Sequence, residues 1–144
     1  MATVKLRIDG REVVVEKGTN LIEAAKKAGG FVPQFCYHAG LPVVAVCRIC
    51  LCEIEGRPKL VAGCATPVEE GTHVLTHSPK VREARKAVME FLLIHHPLDC
   101  PMCDKGGECT LQDYTRGPWP LLFNTSRDSN THAKHSYVFP MGED

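Results

Sequence analysis

Residues 36–64 read CYHAGLPVVAVCRICLCEIEGRPKLVAGC and contain five of the eight cysteines of the chain. The spacing Cys36-x10-Cys47-x2-Cys50-x13-Cys64 places two thiols in one tight turn and takes the other two from distant segments. Four sulfur donors brought together in this way suit zinc or an iron–sulfur cluster. Zinc ribbons carry a second C-x2-C pair, whereas Cys36 and Cys64 stand alone. The segment therefore predicts a four-thiolate metal centre and favours iron–sulfur over zinc.

Three ligands in one loop with a remote fourth is the layout of plant-type [2Fe–2S] ferredoxins. Their first gap is x4, so the match to x10 is one of arrangement and not of spacing. Cys52 lies outside this set, on the same face of a predicted strand as Cys50 and Ile54. We interpret Cys52 as a small buried core residue and not as a ligand.

A second group has the spacing His96-x3-Cys100-x2-Cys103-x5-Cys109. It holds three cysteines, so a four-ligand centre there needs a donor of another kind. His96 ends a predicted helix beside this loop, and imidazole is a suitable iron ligand. The adjacent His95 is assigned a surface or supporting role. Composition alone leaves a zinc Cys3His site as an alternative.

Length and charge limit the other functional classes. The 144 residues suffice for one domain of average size or two small ones. Seventeen basic side chains balance seventeen acidic ones, which argues against a nucleic-acid-binding or polybasic membrane-surface domain. We find no apolar run near the ~20 residues of a membrane span and no signal peptide. We therefore expect a reducing compartment, where clustered cysteines bind metals in preference to forming disulfides.

Turn and capping residues predict an α+β fold. An Asp-Gly pair between alternating apolar stretches predicts a β-hairpin over residues 3–16. Asn20 predicts the cap of a first helix, which ends at a Gly-Gly pair. An irregular loop follows over residues 31–48. Further strands are predicted over residues 49–55, 60–64 and 72–76.

Ser78 followed by Pro79 predicts the start of a second helix, which ends before Pro97. We expect its buried face to consist of apolar side chains at helical spacing, namely Val81, Ala84, Val88, Phe91 and Leu92. We expect its solvated face to carry the charged side chains, namely Arg82, Glu83, Arg85 and Lys86. A short helix is predicted near residues 110–115.

Residues 96–109, HPLDCPMCDKGGEC, closely resemble the His(Cys)3-ligated [4Fe–4S] segment of the large iron–sulfur subunit of respiratory complex I. In bacteria this family is the G subunit of NADH-quinone oxidoreductase. Residues 47–51, CRICL, resemble the [2Fe–2S] loop of the same family. The resemblance covers about residues 1–116, in matching order and separation. Members normally continue with further [4Fe–4S] motifs and a large domain, so we expect the chain to be a fragment.

The resemblance implies a β-grasp [2Fe–2S] ferredoxin-like domain over residues 1–78. A small helical His(Cys)3 [4Fe–4S] domain follows over residues 79–118, and an irregular tail over residues 119–144 leads to a missing C-terminal region. The implied ligands of the [2Fe–2S] cluster are Cys36, Cys47, Cys50 and Cys64. Those of the [4Fe–4S] cluster are His96, Cys100, Cys103 and Cys109.

The implied function is to relay electrons from an NADH/flavin module towards quinone, with no catalytic residue in this chain. The implied partners are other subunits of the peripheral arm, including the flavin/NADH-binding subunit and the next iron–sulfur subunit. We expect a cytoplasmic location on the inner face of the cell membrane, with membrane contact only through the complex and no nucleic acid. One alternative is a diaphorase-type subunit of an NAD-linked hydrogenase or formate dehydrogenase. Another is a zinc-stabilised interaction module.

Overall fold

The computed structural model describes residues 2–116, and the tail predicted over residues 119–144 lies outside them. Two compact units divide after Arg85. The domain boundary drawn after residue 78 stays a prediction. Within the described part of the chain, no helix is both long and apolar enough to cross a membrane.

A five-stranded mixed sheet with the order β2-β1-β5-β3-β4 forms the first unit. Its strands are β1 (Thr3–Ile8), β2 (Arg11–Glu16), β3 (Leu51–Ile54), β4 (Val61–Ala62) and β5 (His73–Leu75). The strands β1 and β5 are parallel, and the other neighbouring pairs are antiparallel. Helix α1 (Leu21–Lys27) follows the hairpin. This is the β-grasp order, so the predicted α+β class is confirmed.

Local signals explain the hairpin and the first helix. Asp9 and Gly10 have φ of 48° and 83°, the left-handed conformation that a two-residue hairpin turn needs. The side-chain oxygen of Asn20 accepts a hydrogen bond from the backbone N–H of Glu23 at 2.9 Å, which caps α1 as predicted. The apolar faces of sheet and helix form one core, which includes Leu6, Ile8, Val15, Leu21, Ile22, Cys52 and Val74.

The strands beside the cysteine loop are shorter than predicted. Residues 31–48 contain no helix or strand, as expected. The strand β3 begins at Leu51 because residues 49 and 50 form a turn. The carbonyl of Cys50 accepts a hydrogen bond from Gly63 at 2.9 Å outside the strand ladder. The turn and this bond fix Cys50 directly before β3 and Gly63 directly after β4.

Helix α2 (Pro79–Leu93) begins where predicted, with the Ser78 hydroxyl accepting a hydrogen bond from the Val81 N–H at 3.2 Å. Its predicted faces were partly wrong, although Val81 is buried and Arg82 and Glu83 are exposed as expected. Phe91 is 78% exposed, whereas Arg85 is completely buried. Side chains four residues apart share a helix face. The buried stripe follows that spacing and consists of Val81, Arg85, Met89 and Leu93.

The second unit begins at Lys86 and includes the remainder of α2. A single 3-10 turn (Cys100–Met102) and helix α3 (Thr110–Arg116) follow. The helix α3 confirms the short helix predicted near residues 110–115. The buried apolar side chains of this unit, among the described residues, are Met89, Leu93 and Tyr114.

Candidate metal centres

The first cysteine group meets at the end of the sheet where β3 starts and β4 ends. Cys50 immediately precedes β3 and Cys64 follows β4, and the antiparallel pairing of Leu51 with Ala62 brings these two positions together. Cys50 and Cys64 are buried, whereas Cys36 and Cys47 on the irregular loop are half-buried. The site therefore has a buried pair of thiols and a pair that reaches the surface.

The four thiols influence one another electrostatically. Burial raises the pKa of Cys64 to about 12. The hydrogen bond and charge of Cys50, and then the charges of Cys36 and Cys47, act in the same direction. The backbone N–H of Cys47, with smaller help from its thiol and from the N–H of Val46, lowers the pKa of Cys36. The other three cysteines all act on Cys64, so the four thiols lie in one region of the unit. The structure thus places together the four cysteines of the first predicted set.

The backbone around Cys47 has an unusual conformation. Ala45 and Arg48 have φ of 55° and 60°. A left-handed residue other than glycine costs about 1–3 kcal/mol and persists only where the surroundings hold it. The N–H groups of the two residues between them, Val46 and Cys47, lower the pKa of the Cys36 thiol. Backbone N–H groups directed at sulfur are a means of tuning an iron–sulfur centre.

Gly63 allows the chain to pass close behind Cys50. A Cβ atom at Gly63 would lie 2.9 Å from the carbonyl oxygen of Cys50 and 3.4 Å from the sulfur of Cys52. The first distance is shorter than real Cβ atoms show against backbone. Position 63 therefore requires glycine because a side chain would not fit. Its backbone is not left-handed.

Cys52 is completely buried in the core, which confirms its predicted burial. Burial raises the pKa of its thiol to about 12. Its sulfur lies 3.5 Å from the carbonyl oxygen of Cys50 and 4.0 Å from Nη2 of Arg85. Cys52 is therefore held as a neutral thiol by surroundings different from those of Cys64.

Arg85 is the residue near the first group that sequence reasoning missed. Its Nε and Nη2 donate to the carbonyl oxygen of Leu51 at 3.1 and 2.7 Å. Burial lowers the pKa of Arg85, although its guanidinium stays charged in proteins. The sequence did carry a signal for its burial. Arg85 lies four residues after Val81 and four before Met89, on the face that these two apolar side chains share.

The second group is more exposed than the first. Cys100 and Cys103 lie in one turn, with the Cys103 N–H donating to the Cys100 carbonyl at 3.3 Å. A Cβ at Gly106 would lie 2.8 Å from the Cys100 oxygen and 3.0 Å from that of Cys103. The chain therefore folds tightly onto the two cysteines. Cys109 accepts, through its carbonyl, a hydrogen bond from Asp113 in α3.

His96 is exposed beyond the end of α2, and its backbone N–H donates to the Leu93 carbonyl at 3.0 Å. Among residues 2–116, no hydrogen bond joins its ring to a thiol of the second group. Over the same residues, no three Cys, His, Asp or Glu side chains form a site that could hold a single metal ion. A four-thiolate [2Fe–2S] centre shares its protein sulfurs between two irons. Four adjacent thiols with N–H groups directed at sulfur fit that cluster.

Two protein families match the chain in succession. Residues 1–79 match the 2Fe-2S iron-sulfur cluster binding domain, and residues 85–117 match the NADH-ubiquinone oxidoreductase-G iron-sulfur binding region. The cofactors of these regions are one [2Fe–2S] and one [4Fe–4S] cluster. The cofactor prediction from the two cysteine groups is therefore confirmed.

Relatives of known identity confirm the resemblance noted in the sequence. The G subunit of the NADH-quinone oxidoreductase of Rickettsia bellii is 46% identical over 142 residues, which cover 96% of this chain and 20% of that protein. The mitochondrial NADH-ubiquinone oxidoreductase 78 kDa subunit of Neurospora crassa is 55% identical over 112 residues, 78% of this chain and 15% of that protein. The chain thus spans at most about a fifth of these relatives.

A solved structure is also similar to the chain. The NAD+-reducing [NiFe]-hydrogenase in the H2-reduced state aligns with a TM-score of 0.71 and 31% identity over 81% of this chain and 50% of the hydrogenase chain. The first family model covers more than half of the 144 residues. The chain therefore belongs to the family of 2Fe-2S iron-sulfur cluster binding domains.

Proposed function

We propose that the chain is an iron–sulfur electron-transfer segment of an NADH:quinone oxidoreductase. The observation that carries the proposal is the convergence of four cysteine thiols in a chain 46% identical to the G subunit of that enzyme. The proposed ligands of its [2Fe–2S] cluster are Cys36, Cys47, Cys50 and Cys64. The proposed ligands of its [4Fe–4S] cluster are His96, Cys100, Cys103 and Cys109.

The clusters, when bound, supply reversible one-electron chemistry. The protein has three tasks at the first site: to hold four sulfurs, to direct N–H groups at them and to limit the access of water. The buried Cys50 and Cys64 serve the side that faces the core. The half-buried Cys36 and Cys47 lie on the side from which an electron can enter or leave. No bond of an organic substrate is made or broken in this chain.

The loop of the first site offers an apolar surface to a partner. Large exposed apolar patches typically mark protein–protein contacts. Four apolar side chains between the first two cysteines are 48–69% exposed, namely Leu41, Val43, Val44 and Val46. We assign this surface to a neighbouring subunit of the peripheral arm. The flavin/NADH-binding subunit would deliver electrons, and the next iron–sulfur subunit would receive them, on the cytoplasmic side of the membrane.

The structural likeness to the NAD+-reducing hydrogenase favours a second candidate, a diaphorase-type segment with the same two clusters. Its 31% identity is lower than the 46–55% of the complex I relatives. The two assemblies differ in what the native complex oxidises and reduces. We expect the isolated native complex to reduce quinone with NADH and not to consume hydrogen. Hydrogen-dependent reduction of NAD+ would replace the first candidate with the second.

Two buried cysteines provide a matched test of the ligand assignment. Cys64 and Cys52 are 2% and 0% exposed, and burial raises the pKa of both thiols to about 12. We expect Cys64→Ala to abolish the [2Fe–2S] signal in the electron paramagnetic resonance (EPR) spectrum of the reduced chain. We expect Cys52→Ala to retain it, because Cys52 lies outside the ligand set.

Both variants remove a buried sulfur, so a general loss of core packing would affect them alike. The contrast between them therefore reports ligation. A Cys64→Ala chain that keeps the full [2Fe–2S] signal would contradict the assignment, and so would a Cys52→Ala chain that loses it.

A further inference from the structure

Arg85 is a buried cation that forms no ion pair with a carboxylate in the described part of the chain. Its side chain is completely buried in the first unit. Among residues 2–116, no carboxylate lies within ion-pair distance of its guanidinium, and Nη1 has no hydrogen-bond acceptor. An unpaired buried charge is strongly unfavourable unless an anion lies near it. The working form of the protein should therefore place negative charge close to Arg85.

Three contacts fix the guanidinium beside the first cysteine group. Its Nε and Nη2 donate to the carbonyl oxygen of Leu51 at 3.1 and 2.7 Å, and Nη2 lies 4.0 Å from the sulfur of Cys52. Leu51 is the residue directly after Cys50, and charge at Cys52 and then at Cys50 favours the protonated form of Arg85. The cation is thus held next to a proposed ligand of the [2Fe–2S] cluster.

The carboxylate of Asp9 also interacts with Arg85, but it does so more weakly than Cys50. Its two oxygens already accept hydrogen bonds from the N–H and hydroxyl of Thr76, at 2.8 and 2.5 Å. Cys52 lies outside the proposed ligand set, and its thiol donates to the carbonyl oxygen of Cys50 at 3.5 Å, so it keeps its proton. A thiol that coordinates a metal is deprotonated outright. Cys50 in the loaded site is therefore the anion that matches the buried cation.

We propose that Arg85 is the buried counter-charge of the [2Fe–2S] cluster and favours its reduced form. The inference rests on the proposed function, because it requires Cys50 to bind the cluster as a thiolate. Reduction adds one negative charge, and the net charge around a cluster helps to set its potential. A cation beside Cys50 thus shifts the potential in the positive direction. Salt screens buried charges less than exposed ones, so the effect should persist at high ionic strength.

The test is an EPR-monitored anaerobic redox titration of the 144-residue chain with its clusters, at low and high salt. Arg85→Gln removes the charge and keeps an amide donor for the Leu51 carbonyl. Arg85→Lys keeps the charge and loses the guanidinium fork. Arg82→Gln removes an exposed arginine from the same helix and is the matched control.

We expect Arg85→Gln to favour the oxidised [2Fe–2S] cluster about tenfold at both salt concentrations, which corresponds to a midpoint potential lower by about 59 mV for a one-electron couple. Arg85→Lys should stay near the wild-type potential, and Arg82→Gln should not differ from it. An unchanged potential in Arg85→Gln would overturn the inference. An equal shift in Arg85→Lys would also overturn it, because the guanidinium would then act through packing.

A loss of the cluster in Arg85→Gln is also informative. If Arg85→Lys keeps the cluster and Arg85→Gln loses it, the result supports the need for a positive charge. Loss of the cluster in both variants would overturn the inference. The visible spectrum and EPR signal of the wild-type chain test the proposed function separately. If the wild-type chain gives no [2Fe–2S] signal, the proposed function fails, and the role of Arg85 fails with it. A normal wild-type signal with no effect of charge at position 85 refutes the inference alone.

Discussion

Burial alone does not separate a proposed ligand cysteine from a core cysteine in this protein. Cys64 and Cys52 are both buried, and the pKa of each thiol is raised to about 12. Their neighbours differ: Cys64 interacts with three further thiols, whereas Cys52 lies against a backbone carbonyl and Arg85. The sequence spacing made the same distinction, because it left Cys52 outside the four-cysteine pattern.

At the residue scale, His96 should affect the potential of the second cluster. Histidine ligation raises the potential of iron–sulfur clusters relative to ligation by cysteine alone, as Rieske centres show. We therefore expect His96→Cys to lower the [4Fe–4S] midpoint potential in a redox titration. His95→Cys is the matched control, since the two residues are adjacent and both are exposed. A His96→Cys chain with an unchanged midpoint potential and spectrum would show that His96 is not a ligand.

His77 should make stability depend on pH. Burial lowers the pKa of His77 in the folded chain, against an opposing effect of Asp9. The unfolded chain binds this proton at a higher pH than the folded chain, so stability falls as pH drops from about 7 through the folded pKa. We expect His77→Gln to reduce the loss of melting temperature between about pH 7.5 and pH 5.5. His95→Gln is the control, and equal pH dependence in wild type and His77→Gln would contradict the prediction.

At the scale of elements, sequence patterns predicted the features that depend on interactions between residues close in sequence. The hairpin turn and the Asn20 cap depend on residues within three positions of each other. The burial of Arg85 in α2 was not predicted, because hydrophobicity favoured Phe91 and because its partner Leu51 is 34 positions away. Ala45 and Arg48 in the cysteine loop adopt the left-handed conformation without being glycine, so the sequence carried no indication of it.

The connection between β4 and the first site depends on Gly63. We expect Gly63→Ala to destabilise the fold by about 1–3 kcal/mol, because the new methyl group would contact the Cys50 carbonyl at 2.9 Å and the backbone there must move. The [2Fe–2S] content should fall with it. Chemical denaturation and visible absorption measure the two effects.

Gly30→Ala is the matched control for this substitution. Its Cβ would lie 3.4 Å from the Ala25 carbonyl, an ordinary contact, and its backbone is not left-handed. A Gly63→Ala chain as stable and as coloured as Gly30→Ala would show that the tight approach at Gly63 is unimportant.

At the scale of the whole molecule, the two matched regions divide the chemistry between two compact units. The first unit has an extensive core beside its four proposed ligand cysteines, and two of these four are buried. The second has three buried apolar side chains among its described residues, and its cysteines are more exposed. We expect the second cluster to be lost before the first when the protein is exposed to oxygen or chelator.

The central claim is that both groups of ligands bind iron–sulfur clusters, and metal analysis tests it most directly. The measurement is iron, acid-labile sulfide and zinc per chain, on protein purified without oxygen. One [2Fe–2S] and one [4Fe–4S] cluster predict about six iron and about six sulfide, with zinc near zero. Zinc without sulfide would contradict the electron-transfer account and leave a structural metal module. About two iron would restrict the account to the first site and contradict the assignment of His96 and its three cysteines.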